Sequence, residues 1–316
     1  MTNTTDVAGT FLLGGDLRIN RLGFGAMRLA VNSLTGPPRD PRTGITVLRR
    51  AVELGVDHID TAGFYGRGTV HAHELIREAL APYPDGLVIA TKVGPLRDAS
   101  GMPSGEATPD QLRGLVEEDL RRLGLDRLDL VYLRVGGLGP AGGTSIAPRF
   151  EALAALREEG LIRHLGVSHV DAAQLAEAAA IAPVAAVQNH FHLQYRDDAE
   201  LLASCTSAGT GYVPYFPLGG GNRPIDPGRY QDVADRHGAT PAQVALAWLL
   251  ALSPVMLAIP GTGSPAHLAE NVAAASLRLT ERDLADLAEP GEPTGTADLA
   301  AWAAAETANG TAGPTG

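Results

Sequence analysis

The chain has 316 residues, a net charge of −11 and one cysteine, Cys205. That length holds one large α/β domain or two smaller ones, and a hydrophobic share of 45% supplies a sizeable core. The negative charge argues against nucleic acid or an anionic membrane surface as a partner; the lone cysteine excludes an internal disulfide framework, and no apolar run reaches the ~18–20 residues that span a bilayer.

Residues 1–10 read as a flexible start without the basic and apolar regions of a secretory signal, so a cytoplasmic location is expected. Phe11–Ile19 suggests a hairpin turning on Gly14-Gly15. A short strand over Leu22–Met27 and a Gly/Pro-rich loop through Gly36–Asp40 follow. Apolar spacing predicts a helix over Thr43–Leu54, a strand over Val56–Asp60 and a helix over Val70–Leu80. Leu87–Val93 reads as a buried strand, and it carries Lys92, the one lysine among 25 basic residues. Thr108-Pro109 opens a helix whose apolar face is Leu112, Leu115, Val116 and Leu120. Then come a strand Leu128–Arg134, a glycine-rich loop, a helix Arg149–Glu159, a strand Ile162–Val167 and a helix from Asp171. Next are a strand Val184–Gln188, a helix Asp197–Ala208 and a strand Gly211–Tyr215. Thr240-Pro241 and Ser264-Pro265 open two helices around a strand Val255–Ile259, and a last helix starts at Thr280.

Strand and helix thus alternate eight times with no composition break. Short apolar strands covered on both faces suit a parallel sheet. The count and length suit a (β/α)8 TIM barrel over residues 11–290, with a short N-terminal β-hairpin and an extra C-terminal helix; a doubly wound open sheet is the alternative. Residues 291–316 are expected to form a partly disordered extension.

In a barrel, chemistry gathers at the C-terminal strand ends. Those ends carry Asp60 with Tyr65 five residues on, then Lys92, Arg134, Ser168-His169, Gln188-Asn189-His190 and Tyr215. A tyrosine titrates near 10 in solution, too high for a proton donor near neutrality. A buried ammonium beside it lowers that value, and a carboxylate pins the ammonium. Such a phenol can protonate a carbonyl oxygen while hydride reaches the carbon. A lyase using Lys92 as a Schiff-base nucleophile uses the same lysine differently.

The stretch His58-Ile-Asp60-Thr-Ala-Gly-Phe-Tyr65-Gly resembles the signature of the aldo-keto reductase family. So do Thr91–Gly94, Gly166–His169, Gln188-Asn189, Tyr215–Gly219 and Ile259–Ser264, ending at Glu270-Asn271. The resemblance covers about residues 10–290 in the right order. It implies a barrel that binds NADPH/NADP+, with NADH as the other possibility, and reduces a small-molecule carbonyl. It makes Tyr65 the proton donor, tuned by Lys92 and Asp60. It places Ser168, His169 and Gln188 on the nicotinamide carboxamide, Tyr215 against the nicotinamide ring, and Gly25, Met27, Pro217, Leu218 and Gly219 along the cofactor. Gly261, Thr262, Gly263, Ser264, His267, Glu270 and Asn271 fall at the adenosine end. No metal is implied. The same barrel also serves as a non-catalytic cofactor sensor in channel accessory subunits.

Two positions depart from the family pattern. Arg134 stands where a histidine is usual; it cannot shuttle a proton near neutral pH but can stabilise negative charge on a substrate oxygen. The segment from Gly261 to Asn271 has neither lysine nor arginine for a 2′-phosphate, leaving Ser264, His267 and a helix N-terminus. Gly36–Asp40, Ile45–Arg49, Leu130–Arg134 and Phe216–Gly220 resemble the bacterial pyridoxal reductase branch, and the ionisable 3-hydroxyl of pyridoxal suits an arginine. A reductase of another, secondary-metabolite carbonyl is the alternative. Gly137–Gly142 matches G-x-G-x-x-G but lacks the helix a dinucleotide fold needs. His71-Ala-His73 is expected at a solvated helix start, His190 and His192 at the rim, and Cys205 in the core.

Overall fold

The computed structural model describes residues 8–31, 38–98, 103–137, 141–220, 228 and 230–288. The expected tail from 291, residues 1–7 and much of the Gly/Pro-rich loop lie outside that set. A hairpin, β1 (Thr10–Leu13) and β2 (Leu17–Asn20), is followed by β3 (Phe24–Gly25), α1 (Met27–Ala30), α2 (Pro41–Glu53) and β4 (His58–Asp60). A second small hairpin, β5 (Gly66–Arg67) with β6 (Val70–His71), leads to α3 (Ala72–Leu80) and β7 (Val88–Val93). A third, β8 (Pro95–Arg97) with β9 (Pro103–Glu106), precedes α4 (Pro109–Leu123) and β10 (Leu128–Arg134). The alternation continues through α5 (Ala147–Glu158), β11 (Ile162–Ser168), α6 (Ala172–Ile181), β12 (Val184–His190), α7 (Ala199–Ala208) and β13 (Gly211–Tyr215). Helices α8 (Gln231–His237), α9 (Pro241–Leu252), α10 (Pro265–Ala273) and α11 (Glu281–Asp286) complete it.

The strands form a parallel sheet in the order β13-β12-β11-β10-β7-β4-β3. The eighth position is filled by 255–259, expected as a strand. It pairs alternately, Met256 with Tyr212 and Ala258 with Leu22, so it builds no run of consecutive pairs with either neighbour. Those two bridges close the (β/α)8 barrel. The hairpin β1–β2 packs Leu13 and Ile19 into one cluster with Val88, Leu130, Ala186 and Leu257, filling the barrel interior. The helices cover the outside, where Val47, Leu112, Val116, Phe150 and Leu249 are fully buried.

Helix starts follow the sequence signals. Thr108, Asp171, Thr240 and Thr280 each form a reciprocal capping box, with Gln111, Gln174, Gln243 and Asp283. Two helix starts and one additional helix stand out against the sequence expectation. α2 starts two residues early because Asp40 caps it, accepting from Arg42 N at 3.1 Å. α3 starts at Ala72 because Val70 and His71 are taken into β6. α8 has no strong sequence signal and was not anticipated. Among the described residues no helix is long and apolar enough to cross a membrane.

Candidate active site

Alternation along each strand decides which side chains enter the barrel. In β7, Val88 and Ala90 belong to the inner cluster, while Ile89 and Val93 join the outer one. Lys92 continues the inner series and Thr91 the outer. The same alternation turns Leu130 and Tyr132 of β10 and Ala186 of β12 inward, and Gln188 continues that series.

Lys92, 2% exposed, is ion-paired with Asp60 and donates to the Thr61 carbonyl at 2.9 Å. Gln188 Nε2 donates to the second oxygen of Asp60 at 2.7 Å. The ammonium stands 5.2 Å from the ring centroid of Tyr65. Burial works against the charge on Lys92, but Asp60 and Tyr65 outweigh it, and its pKa lies above the ordinary value. A lysine held protonated is a poor Schiff-base nucleophile, which counts against the lyase reading. The Tyr65 phenol corrects the expectation of a lowered pKa. Burial pushes it up; Lys92, and more weakly Arg134, pull it down; the balance stays above the ordinary tyrosine value. The cationic pull expected of Lys92 is there, opposing desolvation rather than overcoming it.

Arg134 is buried. Its guanidinium donates to the Val135 carbonyl and, at 2.6 Å, to the Gly137 carbonyl, and its Cζ lies 5.6 Å from the ring centroid of Tyr215. Burial lowers its pKa, yet an arginine stays charged. Arg134, Tyr65, Lys92, Ser168, Gln188 and Tyr215 line one cavity of about 330 Å³, walled also by Phe64, Leu96, Arg97 and Glu106. A second cavity of about 230 Å³ shares Met27, Tyr65, Gln188, Tyr215 and Phe216 with the first. It runs past Gly25, Arg28, Pro217, Leu218 and Gly220 to Gly261.

The remaining expected residues divide. Ser168 is fully buried, and its hydroxyl has no partner among the described residues. His169 lines neither cavity: it sits behind Tyr215, with Nδ1 2.9 Å from the Tyr215 hydroxyl, on a left-handed backbone of φ 63°. Its amide is held by the Asn189 side chain at 2.7 Å. Gly25 and Gly261 face each other backbone to backbone, and a Cβ on Gly25 would meet the Ile259 carbonyl at 2.7 Å, so chain packing alone demands glycine there. Gly219 closes a turn by donating to Phe216 O at 2.9 Å. Thr262 accepts from Ser264 N at 3.0 Å, and Ser264 caps α10 by accepting from His267 N at 3.4 Å. Glu270 accepts from the Thr240 hydroxyl at 2.6 Å, and Asn271 is buried at 5% exposure.

His71 and His73 are buried, not solvated, because β6 and α3 press them against α4. His190 stacks on Tyr195 at 4.0 Å between ring centroids and on Tyr215 at 5.3 Å. Cys205 is buried. Arg28, Arg97 and Glu106 also stand in the cavity walls, beyond the residues expected from the sequence. Arg28 adjoins the anticipated Met27 and was within reach of it; Arg97 and Glu106 sit on the unforeseen β8–β9 hairpin.

A model of the Aldo/keto reductase family matches residues 21–291. Pyridoxine 4-dehydrogenase of Escherichia coli is 48% identical over 285 residues, covering 89% of this chain and 97% of the relative. An uncharacterised oxidoreductase of Schizosaccharomyces pombe is 39% identical over 287 residues, covering 90% of each. Among solved structures, an aldo-keto reductase from Klebsiella pneumoniae in complex with NADPH superposes with a TM-score of 0.74 at 27% identity, covering 91% of this chain and 97% of that one.

Proposed function

This chain belongs to the aldo/keto reductase family, and from that premise we propose that it reduces pyridoxal to pyridoxine with NADPH. The observation that carries the reading is the Asp60–Lys92 pair beneath Tyr65, facing a cavity that Arg134 also enters.

The residues present fit a nicotinamide cofactor. The Ser168 hydroxyl, without a partner among the described residues, and the Gln188 amide offer the donors and acceptors a carboxamide needs, and the second cavity leads away from Tyr65 along a glycine-lined path. When bound, the cofactor supplies hydride. The protein's own part is the proton. Tyr65 donates its hydroxyl proton to the carbonyl oxygen, and Lys92 stabilises the phenolate left behind. Asp60 keeps the ammonium in place and is itself kept in place by Gln188. Desolvated by burial, the phenol holds its proton, as its raised pKa indicates; the Lys92 field favours release once negative charge grows on the substrate oxygen.

Arg134 supports a choice of substrate class. With nitrogens already anchored on Val135 and Gly137, its remaining N–H donors can meet an anionic oxygen next to the aldehyde. Pyridoxal presents such an oxygen, and the name of the Escherichia coli relative points to the same ring system. The test is an absorbance assay of NADPH oxidation with pyridoxal and a panel of aldehydes with and without an ortho hydroxyl. Arg134→His is expected to lower the ratio of kcat/KM for hydroxylated over plain aldehydes by about 10- to 100-fold, the scale of a charge-assisted hydrogen bond. An unchanged ratio would remove the reason for choosing pyridoxal.

A further inference from the structure

The segment 261–271 carries no lysine or arginine of its own, but the fold brings a cation to it from far away in sequence. Arg39 is tethered by its backbone: its N–H donates to Ala30 O at 3.0 Å, and Pro38 next to it bridges Val31. From there its guanidinium reaches across to Gly263. A Cβ on Gly263 would collide with Nη1 and come within 2.6 Å of Cζ. The cation occupies the space a side chain at 263 would take.

What surrounds Arg39 is incomplete. Its Nε is buried and has no hydrogen-bond partner among the described residues. Burial lowers its pKa, and among the described residues no carboxylate acts the other way. A cation withdrawn from water without a counter-charge is costly. In a chain with 36 acidic residues, a carboxylate at this place was readily available. The cavity that starts at Tyr65 ends at Gly261, two residues before Gly263. A ligand lying along it, reactive end at Tyr65, delivers its far end to Arg39. Ser264 and the start of α10 adjoin the same point, where backbone N–H groups also favour an anion.

We propose that Arg39 grips the 2′-phosphate of NADPH, and that this residue, in place of any cation within 261–271, makes the chain select NADPH over NADH. Gly263 is part of the device, since its missing side chain admits the guanidinium. The inference rests on the nicotinamide-nucleotide reading above.

Titration calorimetry on the full chain, with NADPH, NADH, adenosine 2′,5′-bisphosphate and AMP as probes, tests it without turnover. Arg39→Gln is expected to weaken NADPH and the bisphosphate by about 10- to 100-fold, the range of one or two charge-assisted hydrogen bonds, and to leave NADH and AMP within about twofold. Gly263→Ala is expected to shift the same two ligands in the same direction, because a methyl there displaces the flexible end of Arg39 rather than backbone. Unchanged NADH binding also certifies that each variant is folded. If Arg39→Gln weakens NADPH and NADH alike, or neither, the role of Arg39 is overturned while the cofactor reading stands. A wild-type chain that binds neither nucleotide overturns both.

Discussion

Thr91 and Lys92 are consecutive residues of β7, and each organises a buried polar cluster on its own side of the barrel wall. Inside, Lys92, Asp60 and Gln188 form a charged chain under Tyr65 that faces the cavity. Outside, the Thr91 hydroxyl donates to Asp119 at 2.8 Å and lies 3.2 Å from His73 Nε2, while His71 Nε2 contacts the Gly63 carbonyl at 2.9 Å. Both clusters are as buried as any part of the core: Lys92 is 2% exposed, Asp119 2% and His73 0%. Burial of titratable groups therefore does not tell a working site from a structural one. What separates them is where the remaining bonding capacity points. The inner cluster aims Tyr65 and Arg134 at the cavity that Ser168 and Gln188 also line; the outer one ties strand β7 to helices α3 and α4, with His71 and Asp119 at the edge of a separate cavity.

The largest expected difference between the two is in turnover. Lys92→Met should lower kcat by about a thousandfold, the usual scale of general acid catalysis, with the Kd for NADPH within about threefold by calorimetry. Asp60 still accepts from Gln188 in that variant, so circular dichroism should show a folded chain of reduced stability. Lys92→Arg should fail as well, since a planar guanidinium does not fit a slot shaped by Asp60 and the Thr61 carbonyl. Near-normal turnover in the arginine variant would erase the distinction between the two faces.

Thr91→Val makes the converse test. The valine keeps the shape and removes the hydroxyl that ties Asp119 to His73. Leaving those buried groups short of a partner costs about 1–3 kcal/mol. Urea denaturation should show that loss, and kcat should stay within about twofold. A tenfold fall in kcat in a folded Thr91→Val variant would mean that the outer cluster takes part in the chemistry.

Much of this contrast was legible in the sequence and some was not, for physical reasons. The period-two alternation and the strand ends place Asp60, Lys92, Arg134, Ser168, Gln188 and Tyr215 around one mouth, because side-chain direction in a strand follows from position alone. Helix starts were legible because capping is local: Thr108, Asp171 and Thr240 find their partners three residues on. The burial of His71 and His73 is not legible there, because the pairing of Val70 with Arg67, which turns those histidines inward, is too short to leave a periodic signal. Segment 255–259 has the composition of a strand, but its bridges alternate between two neighbours, which only closure of the barrel decides. Arg39 was invisible as part of a site, since nothing local in a Gly/Pro-rich loop connects it with Gly263. The direction of the Tyr65 pKa is not legible in the sequence, because the nearby ammonium can be inferred from strand ends while the desolvation of the phenol depends on the packed fold.

The smallest effect sharpens the comparison from the side of pH. Buried histidines occur on both faces of the wall and are held neutral on both: burial pushes His71 down to about 4, His190 to about 3 and His192 to about 4. An unfolded histidine titrates near 6.5. Above that pH neither state takes up a proton at these positions, and their contribution to stability is complete. As pH falls below 6.5 the unfolded chain binds protons that the folded chain refuses, so stability declines until the folded values near 3 to 4 are reached. For one such group the decline between pH 6.5 and 5, above most carboxylate titrations, is about 1–2 kcal/mol. His190 stacks on Tyr195 and Tyr215, and its Nδ1 has no hydrogen-bond partner among the described residues. Phenylalanine keeps the stacking surface and removes the titration. His190→Phe should therefore match the wild type closely at pH 8 and lose less stability than it does between pH 6.5 and 5 in urea denaturation. An identical pH slope in the two proteins would show that His190 becomes protonated in the fold, and with it that the inner mouth, unlike the outer cluster, admits a charge on its histidines.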